Sequence, residues 1–405
     1  MKTTLLSSRW LLLFFAVWCL GSCNNAEDSD PSPALPTGEQ LFVSADSVTT
    51  IPRAQLQALA TLAGFGSFTS QVKYDVTFRR FRYKTTYQGQ LLEVSGMLAV
   101  PLNTPAPPAM LSAQHGTMFK YSDAPSNFPA TFTGFELFAS TGFVTLIPDY
   151  IGLGVSSNIR QSFYDKPSSA GTVVDMIKAA RYYLQQKKVA LNSRLFLVGY
   201  SEGGYVTMAA QQAIETTPEH GLTLTAAAAG AGGYDLPGML SSVAATPTYA
   251  TPAFLGLFLQ AYNTTYNWNR PLSDFFQAPY ATALPALLNG TKTRAEIDAA
   301  LTNSPAILFT PAFYASLSNA SAEPVLKQRL QENSFFNWVP TSPTRLYHGT
   351  ADGSVFYSTS ESTFTRFRNA GATNVTFIPI PGGTHESSIL PMMTDAFPWL
   401  QSLNP

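Results

Sequence analysis

One serine in a glycine-flanked turn, with four histidines elsewhere in the chain, marks where this sequence could do chemistry. Gly199-Tyr200-Ser201-Glu202-Gly203 follows the apolar run Leu195 to Val198 and precedes a helical stretch, Tyr205 to Ile214. A serine hydroxyl attacks a carbonyl near neutral pH only with a base beside it, and the base needs an acid to orient it. The pentapeptide alone is a weak signal, because average glycine and serine usage gives about 0.1 chance copies in a chain this long. Its context is specific. Where a strand turns sharply into a helix, backbones approach so closely that only small residues fit beside the serine, and its hydroxyl stands clear.

His385, in Pro381-Gly-Gly-Thr-His385-Glu386 after the last apolar run, is the candidate base. Asp352, in His348-Gly-Thr-Ala-Asp352, falls between serine and histidine and is the candidate acid, although it could merely shape an Asp-Gly turn. Asp235, just after the run that ends at Ala229, competes for that role. His220 lies too early, and His115 and His348 each begin a His-Gly pair directly after a strand. Glu386 points away from its neighbour and fits a helix N-terminus. An oxyanion formed in acyl transfer needs two preset N–H donors. The amide of Glu202 supplies one, and Thr117, in Gln114-His-Gly-Thr117 after the third strand, supplies the other. His115 then buttresses that loop.

These groups need a scaffold that brings distant loops to one edge. Short continuous apolar runs at Ala109–Ala113, Phe143–Ile147, Leu195–Val198, Leu222–Ala229, Thr344–Tyr347 and Val375–Ile378 predict strands buried on both faces, as in a parallel sheet. Tyr74 to Val100 alternates instead and predicts antiparallel strands. Thr49 to Gly64 reads as a helix. Gly171 to Leu184 reads as another, with Val173, Ile177, Ala180 and Leu184 on one face and Asp175, Lys178 and Arg181 toward the other. The class is α/β, a mostly parallel central sheet flanked by helices. Roughly 115 residues separate Ala229 from Thr344, where a crossover needs about 10–12. The excess, about 236–340, is rich in proline, alanine and aromatics such as Phe254, Phe258, Tyr262, Trp268 and Phe275. It predicts a mainly helical cap inserted before the penultimate strand, or else a second layer that never meets substrate.

The N-terminus carries an address. Lys2 and Arg9 precede the apolar run Trp10–Leu20, too short for a permanent span, which ends at Leu20-Gly-Ser-Cys23. That tetrapeptide resembles a bacterial lipobox. Residues 1–22 are then a lipoprotein signal peptide, Cys23 the lipid attachment point, and 23–40 an unfolded tether to a catalytic domain over 41–405. An ordinary secretory signal is the alternative. The protein would be exported and held at a bacterial membrane, periplasmic or cell-surface, through the lipid only. Cys19 departs with the signal, so the mature domain has neither a disulfide nor cysteine chemistry. With 45% hydrophobic and 12% charged residues the domain can bury a large core. A net charge of −1 without a basic block gives no footprint for nucleic acid.

The stretches Gln114–Thr117, Pro148-Asp-Tyr-Ile-Gly-Leu-Gly154, Gly199–Gly203, His348–Asp352 and Gly382–His385 together resemble the α/β-hydrolase superfamily. More narrowly, they are similar to the secretory lipase group of bacterial esterases and lipases, of the Candida antarctica lipase A type. The resemblance implies hydrolysis of carboxylic esters through an acyl-enzyme, with Ser201, Asp352 and His385 as triad and no cofactor or metal. Its partner would be a small-molecule ester with an acyl or aryl group. Asp149 and Tyr150 read as structural or pocket-wall residues. The sequence departs from the group after Gly154, where it reads Val155-Ser-Ser, and at Glu202, where small or amide residues are commoner. A peptidase of the prolyl-peptidase type is the enzymatic alternative, and a non-catalytic binding protein on the same fold is the other.

Overall fold

Nine strands form one sheet in the computed structural model, which describes residues 34–404. They are β1 (Phe42–Ile51), β2 (Val76–Tyr87), β3 (Gln90–Pro101), β4 (Met110–Gln114), β5 (Val144–Pro148), β6 (Leu195–Tyr200), β7 (Ala226–Gly230), β8 (Thr344–Gly349) and β9 (Val375–Ile380). Their spatial order is β1-β2-β3-β5-β4-β6-β7-β8-β9. The alternating stretch makes the antiparallel half: β2 and β3 pair as a hairpin whose two turn residues, Gln88 and Gly89, both take positive φ. Such turns match the twist of the flanking strands. From β5 to β9 every pairing is parallel.

Continuous apolar runs become central strands because both of their faces are covered. Along β6, Leu195 and Leu197 face one core, whereas Phe196, Val198 and Tyr200 face the other. The helices comprise α1 (Gly38–Leu41), α2 (Arg53–Leu62), α3 (Leu137–Ser140), α4 (Lys166–Gln186) and α5 (Glu202–Thr216). After β7 come α6 (Leu236–Ala245), α7 (Pro252–Thr265), α8 (Tyr280–Leu287), α9 (Arg294–Ala300), α10 (Pro305–Leu308), α11 (Pro311–Ser318) and α12 (Pro324–Glu332). Finally α13 (Tyr357–Asn369) follows β8, and α14 (Ile389–Ser402) follows β9. Helices α4 and α5 and the insertion cover the first core; α2, α3 and α14 cover the second.

Several boundaries differ from expectation. Thr49 to Ile51 end the edge strand β1 rather than begin a helix, and α2 starts only after Pro52. Two register shifts, at Phe42/Ser44 and Ser47/Thr49, break the alternation that would have announced β1. Because β1 precedes the hairpin, the Gln114–Thr117 loop follows the fourth strand, not the third. Thr37 and Gln40 form a reciprocal capping box for α1, so folded structure starts before residue 41, within the stretch assigned to the tether. Only Ala226–Gly230 of the Leu222 run is strand. Asp175 is not on a solvated face. It is buried, accepts from Thr85 Oγ1 at 2.8 Å, and is pushed up to about 6 by burial. The signal peptide and Cys23 lie outside the described residues.

The insertion is seven helices, α6 to α12, joined to the sheet domain by buried hydrogen bonds. Tyr262 Oη donates to the Tyr164 carbonyl at 2.9 Å and Tyr205 Oη to that of Asn333 at 2.8 Å. The Asn333 side chain accepts from the Lys166 amide at 2.8 Å. Buried groups like these are costly to leave unpaired, so they fix how the insertion sits.

Candidate active site

The order reversal in the sheet places the carboxyl ends of β4 and β6 side by side, with Gln114 opposite Gly199. Sites of open α/β sheets form at such a crevice. Ser201 caps α5 with φ 61° and ψ −126°, a conformation most side chains avoid. Its amide donates to the Gly230 carbonyl of β7 at 2.8 Å, which holds the turn. A Cβ at Gly199 would collide with the Gly203 carbonyl, and one at Gly203 with the Gln114 carbonyl. The two flanking glycines are therefore a steric requirement of the turn.

The loops after β8 and β9 reach the same point. His385 Nε2 lies 2.8 Å from Ser201 Oγ, and His385 Nδ1 lies 2.6 Å from Asp352 Oδ2. Asp352 Oδ1 accepts from the amides of Ser354 and Val355, both at 2.9 Å. Burial works against ionisation of Asp352, but hydrogen bonds from His348 and His385 outweigh it and hold the carboxyl well below the usual range. Tyr200 Oη donates to the His385 carbonyl at 2.6 Å and steadies that loop. The arrangement can move a proton from a serine hydroxyl to an imidazole backed by a buried carboxylate.

Asp235 stands elsewhere. It caps α6 by accepting from the Gly238 amide at 2.9 Å, accepts from Ser362 Oγ at 2.9 Å, and pairs with Arg366 at 3.6 Å. His115 is buried, stacked on Tyr150 with centroids 4.1 Å apart, and hydrogen-bonded to the Gly116 carbonyl at 2.7 Å. Burial drives it down to about 4, so it is a neutral buttress. Asp149 accepts from Ser95 Oγ and the Ser126 amide, at 2.6 and 2.8 Å. Glu386 is not a helix N-terminal residue: α14 begins at Ile389, and Glu386 instead meets Arg294 of the insertion at 3.0 Å.

Neither the Thr117 nor the Glu202 backbone N–H has an acceptor among the described residues. Glu202 is the first residue of α5, where orphan N–H groups carry the positive end of the helix. Its carboxyl is buried, and burial pushes it up to about 8 against a partial opposing bond from Thr117. A carboxyl raised in the fold binds its proton more tightly there than unfolded. Its contribution is present below the ordinary glutamate range and is lost as pH rises toward 8. Glu202→Gln should therefore flatten the alkaline decline in melting temperature between about pH 5 and 9. Parallel melting curves for the two proteins across that range would show that burial does not neutralise Glu202.

Two cavities meet at Ser201 and Thr117. One is apolar, about 80 Å³, walled by Leu236, Met239, Leu240 and Val243 of α6 and by Phe254 and Phe258 of α7. Of the insertion's aromatics only a few reach it; Phe275, Phe276 and Phe313 are buried against one another and Phe309. The other is an open cleft of about 620 Å³ that includes Lys120, Asp123, Arg294, His385 and Glu386. Among the described residues no cluster of three or more His, Cys, Asp or Glu could hold a metal ion. No helix among them is long and apolar enough to cross a membrane.

The model of the secretory lipase family matches residues 134–403, about two thirds of the chain, which includes Ser201, Glu202, Asp352 and His385 but not the Thr117 loop. No curated protein matches the chain. Among solved structures, a Legionella pneumophila protein assigned as a hydrolase superposes with TM-score 0.82 at 22% identity, covering 90% of this chain and 98% of its own. The rice cell wall degrading esterase LipA of Xanthomonas oryzae gives TM-score 0.76 at 24% identity, covering 89% and 95%. Candida antarctica lipase A gives 0.62 at 17%, covering 87% and 78%.

Proposed function

This chain belongs to the secretory lipase family, and from that premise we propose that it is a serine esterase that splits short-chain carboxylic esters through an acyl-enzyme. The observation that carries the mechanism is the continuous chain of bonds from Ser201 through His385 to Asp352. Ser201 Oγ attacks the acyl carbon, His385 Nε2 takes its proton and passes it to the departing alkoxide, and Asp352 steadies the imidazolium. The Thr117 and Glu202 amides receive the developing oxyanion. Water activated by His385 then releases the acid.

The two cavities divide the substrate. An apolar volume of about 80 Å³ is about half that of a cavity that holds benzene, so it takes an acyl chain of a few carbons. The open cleft, with its charged rim, suits a larger polar alcohol. In a nitrophenyl ester series, kcat/KM should peak at acetyl to butyryl and fall about 10-fold or more by octanoyl. A maximum at octanoyl or beyond would refute the short-chain assignment, and faster cleavage of proline nitroanilides than of any ester would favour a peptidase.

The family's secretory character supports export, and Cys23 is retained as the proposed lipid attachment point. Intact mass of membrane-extracted protein decides it: acyl groups on residue 23 are expected, and an N-terminus elsewhere without them would overturn it.

A further inference from the structure

His348, near the end of β8, is fully buried, and its partners fix where its proton sits. Nε2 lies 2.8 Å from the Val355 carbonyl, which can only accept, so Nε2 carries hydrogen. Nδ1 lies 2.7 Å from Ser360 Oγ, a hydroxyl free to donate to it. A single proton on Nε2 satisfies both neighbours. The same Nε2 also stands 3.3 Å from Asp352 Oδ2, the oxygen that receives His385 Nδ1–H. With the two amides on Oδ1, four donors surround one carboxylate, and two of them are imidazoles.

We propose that His348 is a positioning residue for the ester hydrolysis, its Nε2–H fixing the orientation and charge of Asp352 and so setting the base strength of His385. The proposal rests on the serine esterase reading above. A carboxylate oxygen shared between two donors gives each a weaker bond than it would give one alone. With His348 removed, the charge on Oδ2 falls entirely on His385, which holds its proton more tightly, while Asp352 gains freedom to rotate. Few other ionisable groups face these residues. Tyr357 meets the His348 ring edge-on at 5.8 Å, and Tyr164, Tyr200 and Tyr249 lie near Asp352; burial raises all four tyrosines, so they stay neutral. The exposed pair Arg294 and Glu386 adjoins His385.

The test uses His348→Met, which keeps the volume without the donor, and His348→Gln, whose amide N–H stands in for Nε2–H. Active sites are first counted with a fluorophosphonate. Then kcat and KM for nitrophenyl acetate are recorded from about pH 5 to 9, with the low-field proton resonance of the His385–Asp352 bond. His348→Met should lower kcat about 10-fold with little change in KM and move the acid limb up by about half a pH unit; His348→Gln should restore most of both. If His348→Met does not fold, His348→Leu, which also lacks the donor, takes its place and should move the acid limb the same way. Wild-type limb position and resonance in His348→Met, or in His348→Leu if it stands in, would reduce His348 to packing. Failure of the wild type to label would sink the serine esterase reading itself.

Discussion

Ser201→Ala should lower kcat by about 10⁶-fold while leaving the fold intact, and should abolish labelling by a fluorophosphonate. The size follows from the proposed chemistry. Without Oγ no acyl-enzyme forms, and only binding and the oxyanion donors remain, which elsewhere retain about 10³–10⁴-fold over water. The fold should survive because what shapes the turn is backbone: the Ser201 amide on the Gly230 carbonyl and the two glycines beside it. Alanine meets the positive φ at Ser201 with about the same strain as serine. An alanine variant that still turns over esters at more than about a thousandth of the wild-type rate would move the nucleophile elsewhere.

Asp352→Asn should reduce kcat by about 10⁴-fold, whereas Asp235→Asn should leave kcat near wild type and cost about 1 kcal/mol of stability at most. The contrast is geometric. Asp352 Oδ2 sits 2.6 Å from His385 Nδ1, so an amide there presents N–H to N–H or forces the other tautomer. Asp235 is committed to the α6 cap, Ser362 and Arg366. An asparagine keeps the capping oxygen, so the loss falls on the ion pair. Turnover with nitrophenyl acetate together with melting temperature separates the two. A larger catalytic loss from Asp235→Asn than from Asp352→Asn would reverse the assignment.

The parallel half of the sheet was legible because burial on both faces writes itself as unbroken apolar runs, and β2 because its burial alternates. Strand β1 was not, since its two register shifts erase the period on which the reading depends. Asp175 was misplaced for a related reason: helical spacing gives its angle around α4 but not that Thr85 of β2 waits there to bond it.

The candidate site divides along the same line. Sequence by itself determined the elbow, because a turn that tight tolerates only glycine two residues to either side of the serine, and the order Ser201, Asp352, His385, because the loops follow successive strands. Such features are local, each settled by a few neighbouring residues. Tertiary structure decided the rest: which of two aspartates meets His385, that His348 shares that carboxylate, that Glu386 reaches Arg294, and that α6 leaves so small a space beside Ser201. Those outcomes depend on how ends of distant elements converge at one edge of the sheet. No short window of sequence contains both partners, so no local spacing could encode them.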